Sequence, residues 1–299
     1  TKDLTLELYY EAEKRKIPVI TTLHDYFSVC PSIKMLNSRG KLCAGNRSEE
    51  CCEECAQHMY GIYRNINYIS IWREENKKAL QISQKIIVPS ESSKKILLEY
   101  YAEFQEKFQV VYHGMDQMKR KDQSESRELH VAFIGGISKE KGSEIASRLI
   151  KNGPNDVKWF LFGMWGYNEL SMLDKRNYTK TGLYERHELP NLMEKYQIDV
   201  VCLLPIWPET YCYTLSEAIM CGVPVIATDI GALGERMQKL QCGWLVSVEN
   251  AYEETLNVIR RIKDKNSEYQ CMREKAIHLR MKTLGEMEAE YLKIYEDTI

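Results

Sequence analysis

Short apolar runs alternate with helical stretches along the first half of the chain. The runs at IPVITTL, KIIV and QVVY predict buried strands, and helical patterns lie over about 3–15 and 57–83. A loop with Pro, Asn, Gly and several Cys separates the two helical patterns at 30–55. Because strands without polar alternation are covered on both faces, this half predicts a parallel sheet packed against helices.

The second half repeats the alternation after a charged segment. QMKRKDQSESRE has few apolar residues, which predicts a linker between domains at 117–128. Strands are then predicted at HVAFIGG, VKWFLFG, DVVCLLP and PVIAT, with helices between them and at the C-terminus. We therefore predict an α/β protein with two Rossmann-like domains facing a cleft, at 1–116 and 129–299. We expect the last helix to pack back on the first domain.

The charge balance and the hydropathy narrow the class of protein. Lys and Arg number 41 against 43 Asp and Glu, so the net charge of −2 argues against binding to nucleic acid through overall electrostatics. No run of 18 apolar residues is present, and the first residues lack the apolar segment of a signal peptide. These features predict a cytoplasmic protein, with peripheral contact at the inner face of the membrane as an open alternative.

Five of the ten cysteines crowd into the loop at 30–55, and in a reducing compartment such a cluster favours a metal site. Four thiolates are enough to close a tetrahedral zinc site that stabilises a loop. The hypothesis of a structural zinc site uses Cys30, Cys43, Cys52 and Cys55. It leaves Cys51 spare and His58 as a substitute ligand. The alternatives are free thiols and disulfides; a redox CxxC motif is disfavoured because no helix N-cap is expected before Cys52.

The segment LLPIWPETYCYTLSEAIMCGVPVIAT carries the strongest chemical signal. A strand is predicted to end at Pro205, with Glu209 in the loop that follows. Thr214 is the predicted N-cap of the next helix, and Glu217 stands three residues later, which is the capping-box spacing. The N–H groups and the dipole of such a helix start favour an anion such as a diphosphate. In the alternative interpretation, Glu217 only completes the capping box and Glu209 is a surface residue.

Two further loops follow predicted strands. In FIGGISKEKG, Gly135 and Gly136 allow a phosphate to approach the backbone, and Lys141 can neutralise its charge. The alternative is a plain turn. His24 ends the first strand, where it can contact a ligand or form hydrogen bonds within the core, and His113 in VYHGMD is interpreted as structural. Because ligands of open parallel sheets bind at the carboxyl ends of strands, these loops are candidate sites.

Together these motifs resemble glycosyltransferase family 4, a retaining family with the GT-B fold. Its C-terminal domain carries two glutamates with seven residues between them, as at Glu209 and Glu217, in surroundings like TLSEA and GVPVIAT. The resemblance implies that Glu209 faces the transferred sugar and that Glu217 holds the ribose hydroxyls. It also implies that His24 reaches across the cleft towards the donor. The diphosphate is expected at the start of the helix, against Tyr213, Thr214 and Leu215.

The sequence departs from the family in the motif that is expected to bind the diphosphate. The family carries an arginine followed five residues later by a lysine in the loop after the first strand of this domain. Lys141 matches the lysine, but Gly136 stands where the arginine is expected. Either the backbone amides of Gly135 and Gly136 or the side chain of Lys139 replace the missing cation, or activity is reduced.

The resemblance implies an enzyme that transfers a hexosyl or deoxyhexosyl group, with retention, from a UDP-, GDP- or dTDP-sugar to a glycan, lipid-linked or protein acceptor. Polysaccharide biosynthesis is the expected context, without a metal at the diphosphate. A branch of the family has a cysteine-bearing insert after an HDYF-like sequence, as in HDYFSVC here. The family's first lobe begins with a strand and a glycine-rich loop that are not seen here. We therefore expect a fragment, a short lobe, or a further domain or partner chain that completes it.

Two alternatives to a transferase share the donor pocket. A GT-B sugar-nucleotide epimerase would need acid and base groups beside the sugar. A catalytically weak subunit of a larger glycosylation assembly would bind the nucleotide sugar with little turnover, an alternative motivated by Gly136.

Overall fold

The computed structural model describes residues 5–43, 48–60, 67–121, 126–166 and 178–298. The chain divides into two compact units. Unit 1 comprises Thr1–Gly114, Trp207–Tyr211 and Lys282–Ile299, and unit 2 comprises Met115–Ile206 and Cys212–Met281. Of the predicted linker at 117–128, residues 122–125 lie outside the described residues, and 117–121 contain no helix or strand.

Unit 1 is built on a three-stranded parallel sheet. Its strands are β1 (Ile20–Thr22), β2 (Lys85–Val88) and β3 (Phe108–Val110), in the order β1-β2-β3. Its helices are α1 (Glu7–Lys14), α2 (Glu49–Tyr60), α3 (Tyr68–Ile82), α4 (Glu91–Leu98) and the C-terminal helix (Leu284–Glu296). The central strand, which the apolar run KIIV predicts, contributes Ile86 and Val88 to an apolar core. The same core contains Tyr26, Leu97 and Tyr101.

The cysteine-rich segment is partly helical, which differs from the predicted loop at 30–55. Helix α2 begins directly after Ser48, whose hydroxyl accepts a hydrogen bond from the N–H of Cys51 at 3.3 Å. Acidic residues in its first turn favour a helix start there because they face the positive end of the helix dipole. The predicted helix at 57–83 is divided between the end of α2 and α3, and residues 61–66 between them lie outside the described part of the chain.

Unit 2 contains a six-stranded sheet in which every neighbouring pair is parallel. The strands are β4 (Leu129–Ile134), β5 (Val157–Phe162), β6 (Tyr178–Gly182), β7 (Val200–Leu203), β8 (Val225–Thr228) and β9 (Gly243–Val246). Their order, β6-β5-β4-β7-β8-β9, reverses its progression between β4 and β7. This is the doubly wound arrangement, in which ligands bind outside the carboxyl ends of the strands at the reversal.

Unit 2 also contains six α-helices in the described residues, and both faces of its sheet are buried. They are α5 (Ser143–Asn152), α6 (Leu189–Lys195), α7 (Tyr213–Met220), α8 (Gly231–Leu240), α9 (Ala251–Ile262) and α10 (Ser267–His278). Strand β4 buries Val131 and Phe133 in one apolar cluster and Ala132 and Ile134 in another, as expected of a strand covered on both faces. The prediction of Rossmann-like parallel sheets in both halves is therefore confirmed. None of the helices in the described ranges is both long enough and apolar enough to cross a bilayer.

Candidate functional site

The loop after β4 lies close to the start of α7 because it contains a glycine. Gly135 has a left-handed backbone with φ of 89°, and its N–H donates to the carbonyl of Phe162 at 2.8 Å. A Cβ on Gly135 would lie 3.1 Å from Cγ2 of Thr214, closer than ordinary van der Waals contact. Glycine at this position thus brings the end of β4 against the helix that follows β7, at the reversal where a ligand is expected.

Lys141 ends a 3-10 turn that is anchored to the segment after β7. The backbone N–H of Ile206 donates to the carbonyl of Glu140 in this turn at 2.9 Å. Gly142 follows with φ of 86°, and a Cβ there would overlap the carbonyl oxygen of Leu204. The position of Lys141 therefore depends on a glycine next to it in the chain.

Gly142→Ala should lower the free energy of unfolding by about 1–3 kcal/mol, because a left-handed backbone disfavours alanine and the new Cβ would overlap the Leu204 carbonyl. Urea denaturation measures the change. Gly182→Ala is the matched control, since Gly182 has φ of 82° but a Cβ there would meet nothing within 4 Å. Equal destabilisation by the two variants would contradict the overlap.

Helix α7 begins before the predicted N-cap. Its N-cap is Cys212, with φ of 67° and no capping hydrogen bond from its side chain, so the prediction that Thr214 caps the helix is wrong. Thr214 instead lies in the first turn, where most backbone N–H groups lack an i−4 acceptor within the helix. The N–H of Leu215 donates to the carbonyl of Cys212 at 3.3 Å, and the side chain of Tyr213 is largely exposed. Glu217 is consequently not the partner of a capping box.

A buried arginine supports the start of α7. Arg236 on α8 is only 6% exposed, and its guanidinium donates to the carbonyl of Cys212 at 2.8 Å and to the hydroxyl of Ser216 at 2.6 Å. The first bond links the N-cap residue Cys212 to α8, and the second links α8 to the first turns of α7. The cation also adds to the positive end of the helix dipole, which favours an anion near Thr214. Sequence analysis missed Arg236 because GALGERMQKL has the pattern of an ordinary amphipathic helix.

Glu217 is enclosed on the inner side of α7, with 13% of its side chain exposed. Burial raises the pKa of its carboxyl, and the positive charges of Arg186 and Lys141 offset part of this increase. The Nε of Arg186 lies 3.7 Å from the Glu217 carboxylate. Lys141 and Glu217, which come from separate elements, are thus close enough for one charge to act on the other.

The loop after β6 contributes two side chains beside Glu217 that sequence analysis missed. The phenol of Tyr184 lies within hydrogen-bonding range of the Gly135 backbone and near Glu217; burial and that carboxylate both raise its pKa. Arg186 donates from Nη2 to the carbonyl of Asp116 at 3.2 Å. No motif marks either residue, because the polar sequence YTKTG conceals the strand that leads to them.

Glu209 belongs to unit 1, in the short segment Trp207–Tyr211. It is buried, with 7% exposed, which argues against the alternative that it is a surface residue. The next residue, Thr210, donates from its hydroxyl to the carbonyl of His24 at 2.7 Å. The carbonyl of Thr210 accepts from the hydroxyl of Ser93 at 3.1 Å. The segment that carries Glu209 is therefore fixed beside His24.

Two imidazole rings stack beyond the carboxyl ends of β1 and β3. The ring centroids of His24 and His113 are 5.4 Å apart with an angle of 24° between the planes. Tyr211 meets the ring of His113 edge-on at 4.8 Å, and its hydroxyl donates to the His113 carbonyl at 2.6 Å. His113, interpreted above as structural, thus contacts the predicted site residue His24 directly.

The described residues do not arrange the predicted zinc ligands as a metal site. All ten cysteines are free thiols, and within the described residues no group of three or more His, Cys, Asp or Glu side chains is arranged to hold a metal ion. The thiols have separate partners: Cys30 contacts a serine hydroxyl at 3.1 Å, and Cys52 accepts from the guanidinium of Arg73 at 3.3 Å. The positive charge of Arg73 next to this sulfur disfavours a zinc ion at the same place, because like charges repel. A cavity of about 580 Å³ is lined by Cys30, Cys43, Cys51, Cys52, Cys55 and His58.

The chain belongs to the family described as glycosyl transferases group 1, which residues 114–279 match over more than half of its length. A curated relative, an uncharacterized 41.2 kDa protein in the cps region of Klebsiella pneumoniae, is 27% identical over 158 residues. This match covers 48% of the present chain and 43% of that protein, so it spans less than half of the relative. The family match covers most of unit 2, where Gly135, Lys141 and Glu217 lie.

Solved structures identify the fold as GT-B. HepE of Anabaena in complex with UDP has a TM-score of 0.70 at 15% identity, over 98% of this chain and 76% of that one. The complex of HepE with UDP-glucose has a TM-score of 0.65 at 16% identity, over 98% and 77%. Sucrose-phosphate synthase from Thermosynechococcus elongatus has a TM-score of 0.61 at 17% identity, over 76% and 61%. At these identities the likeness concerns the fold alone.

Proposed function

We propose that the protein is a retaining glycosyltransferase of family 4 that moves a hexosyl or deoxyhexosyl group from a nucleotide sugar to a glycan, lipid-linked or protein acceptor. The observation that carries the proposal is the cluster around Glu217 in unit 2. There a partly buried carboxylate lies with Lys141 and Arg186 beside the reversal of a doubly wound sheet. Cations suit phosphate oxygens, and a carboxylate suits ribose hydroxyls.

Two further observations support a nucleotide-sugar donor. The chain belongs to the glycosyl transferases group 1 family, and HepE, which shares its fold, is described in complexes with UDP and with UDP-glucose. The nucleoside of the present protein is a separate question, and UDP-, GDP- and dTDP-sugars are all candidates.

The chemistry of the proposal centres on the leaving diphosphate. Cleavage of the bond between sugar and phosphate places negative charge on the diphosphate, so fixed positive groups there stabilise the transition state. Lys141, the backbone of Gly135 and the start of α7 supply them in this proposal. Glu209 and His24 act on the transferred sugar. The acceptor hydroxyl attacks on the face of the leaving group, which retains the configuration of the anomeric carbon.

A donor screen tests the proposal. We expect one of UDP-glucose, GDP-mannose, ADP-glucose and dTDP-glucose to raise the melting temperature, because a ligand that binds only the folded state stabilises it. Release of the nucleoside diphosphate, followed by NMR of the released sugar, then measures turnover and anomeric configuration. Failure of all four donors to bind would contradict the proposal. Binding without hydrolysis or transfer would favour the weak nucleotide-sugar-binding subunit, and release of an epimer would favour the epimerase.

Gly136→Arg should tighten donor binding about three- to tenfold, because it returns the second cation of the family motif to the diphosphate. The site can accept the side chain: Gly136 is exposed, its φ is not left-handed, and a Cβ there would meet nothing within 4 Å. Lys139, the other candidate cation, is engaged with Glu144 at 2.8 Å. Calorimetric titration with the donor measures the effect.

Gly136→Gln is the matched control for this prediction, since it adds a long polar side chain without a charge. Equal donor affinities of the arginine and glutamine variants would mean that position 136 does not face the diphosphate.

A further inference from the structure

We propose that Arg186 is a positioning residue that fixes the Glu217 carboxylate for the two hydroxyls of a ribose, and so makes the protein selective for ribonucleotides over 2′-deoxyribonucleotides. The inference rests on the proposed function, in which Glu217 holds the ribose of the donor. It names a substrate class within that function: donors such as UDP-, GDP- or ADP-sugars, and not dTDP-sugars.

The guanidinium of Arg186 is itself held in place. Arg186 begins a 3-10 turn after β6, and the turn has a capping box in which the Glu185 N–H donates to the Glu188 carboxylate at 2.7 Å. Its Nη2 donates to the carbonyl of Asp116 at 3.2 Å, while its Nε lies 3.7 Å from Glu217. Nη2 is therefore anchored to the backbone while Nε faces the carboxylate, and 39% of the Arg186 side chain remains exposed.

Among the described residues, four titratable side chains lie near Glu217, and Arg186 is the cation of these four with no role at the phosphates in the proposed function. The others are Lys141, Tyr184 and Cys221. Tyr184 and Cys221 are neutral near pH 7, because burial raises the pKa of both, that of Cys221 to about 12. Lys141 is assigned to the diphosphate, so part of its charge is neutralised when the donor binds. Arg186 is then the lasting counter-charge of Glu217.

A fixed carboxylate distinguishes the two kinds of nucleotide. Each oxygen of Glu217 can accept one hydroxyl of a ribose diol, and a 2′-deoxy sugar leaves one oxygen without a partner in a place with little water. A carboxylate that is free to turn could use both oxygens on the remaining hydroxyl. Selectivity therefore depends on the residue that fixes Glu217, as well as on Glu217.

The test compares matched nucleotides: UDP with dUDP, GDP with dGDP, and ADP with dADP, by calorimetric titration. We expect the wild-type protein to bind the ribonucleotide of at least one pair about 10- to 100-fold more tightly than its 2′-deoxy counterpart, the range expected of one hydrogen bond to a charged group. Arg186→Ala and the longer neutral Arg186→Gln should weaken ribonucleotide binding roughly tenfold and leave 2′-deoxynucleotide binding nearly unchanged. Arg186→Lys, which keeps the charge, should restore part of the preference.

A pH titration of binding gives a second readout that a purely structural role would not change. Ribonucleotide binding needs ionised Glu217, so it is lost as the pH falls through the pKa of that carboxyl. Loss of Arg186 removes an attraction that favours ionisation, so this loss of binding should move to higher pH. Lys180→Ala, which removes an exposed cation from β6, should leave both the preference and the pH profile unchanged.

The outcomes separate this inference from the proposed function. If no nucleotide binds the wild-type protein, both fail. If ribonucleotides bind but Arg186→Ala and Arg186→Gln, shown to be folded by circular dichroism, keep the wild-type preference and pH profile, the inference alone fails. Equal weakening of both members of a pair would also overturn it, since Arg186 would then act on the phosphates or on the fold.

Discussion

Glu209→Gln should reduce sugar transfer by about 100- to 1000-fold while donor binding changes little, the range observed when a group that stabilises the transition state is removed. In the proposed function Glu209 acts on the transferred sugar, whereas the nucleotide is bound by groups of unit 2. Glutamine has the same shape, so the buried position, 7% exposed, is not emptied. Single-turnover transfer measures the first quantity, and calorimetric titration with the donor measures the second.

The control for this variant is Glu91→Gln, which neutralises an exposed glutamate in the first turn of α4 in the same unit. It should keep wild-type transfer. If Glu209→Gln retains transfer within a factor of about three, the shift expected of a surface substitution near ±0.5 kcal/mol, then Glu209 has no catalytic role and the spacing of the two glutamates is only structural.

In unit 2, the strands that the sequence predicts are apolar runs with almost all of their residues buried. The runs HVAFIGG, VKWFLFG, DVVCLLP and PVIAT correspond to β4, β5, β7 and β8, which form the middle of the sheet in unit 2. The two strands that were not predicted, β6 and β9, are its edges. Strand β6 carries the exposed residues Thr179 and Lys180, so hydrophobic periodicity does not distinguish it from a loop, while β9 is an apolar run of only four residues.

Some residues of the candidate site can be found from sequence motifs, and others are found only from the folded structure. Glu209, Glu217, Gly135 and Lys141 follow strands that the pattern predicts, so their loops could be found from the sequence alone. Arg186 could not be found, because it follows the edge strand β6 and reaches Glu217 only through the parallel pairing of β6 with β5. A side chain that acts through tertiary packing leaves no local spacing to detect.

Two predictions made from local patterns are not matched by the described residues. Thr214 satisfies the capping pattern, but the helix begins after Cys212, whose carbonyl accepts a hydrogen bond from the buried guanidinium of Arg236. The cysteines of the predicted zinc site satisfy a ligand pattern, but Arg73 lies on the sulfur of Cys52. In both cases a cation from another helix contacts a group of the predicted pattern, and local spacing does not show that contact.

Glu217→Gln should weaken binding of the preferred ribonucleotide by about 10- to 100-fold, because hydrogen bonds to a charged acceptor are lost. The same variant should be more stable than the wild-type protein at neutral pH. The net pKa shift of Glu217 is upward, so the cost of burying its charge exceeds the attraction of Arg186 and Lys141. Glutamine has no charge to bury. Calorimetric titration and thermal unfolding measure the two effects on one sample.

The pH dependence of this stability gain follows from the direction of the pKa shift. Since the Glu217 carboxyl has a higher pKa in the folded than in the unfolded protein, the folded state binds its proton more tightly. Glu217 therefore makes the wild-type protein less stable as the pH rises from the pKa of this carboxyl in the unfolded protein through its pKa in the folded protein. The stability difference between Glu217→Gln and wild type should accordingly be small at low pH and grow towards neutral pH. If the wild-type protein is the more stable of the two at pH 7, the attraction between Arg186 and Glu217 outweighs the cost of burying the carboxylate. Glu217 would then stabilise the folded protein without a ligand.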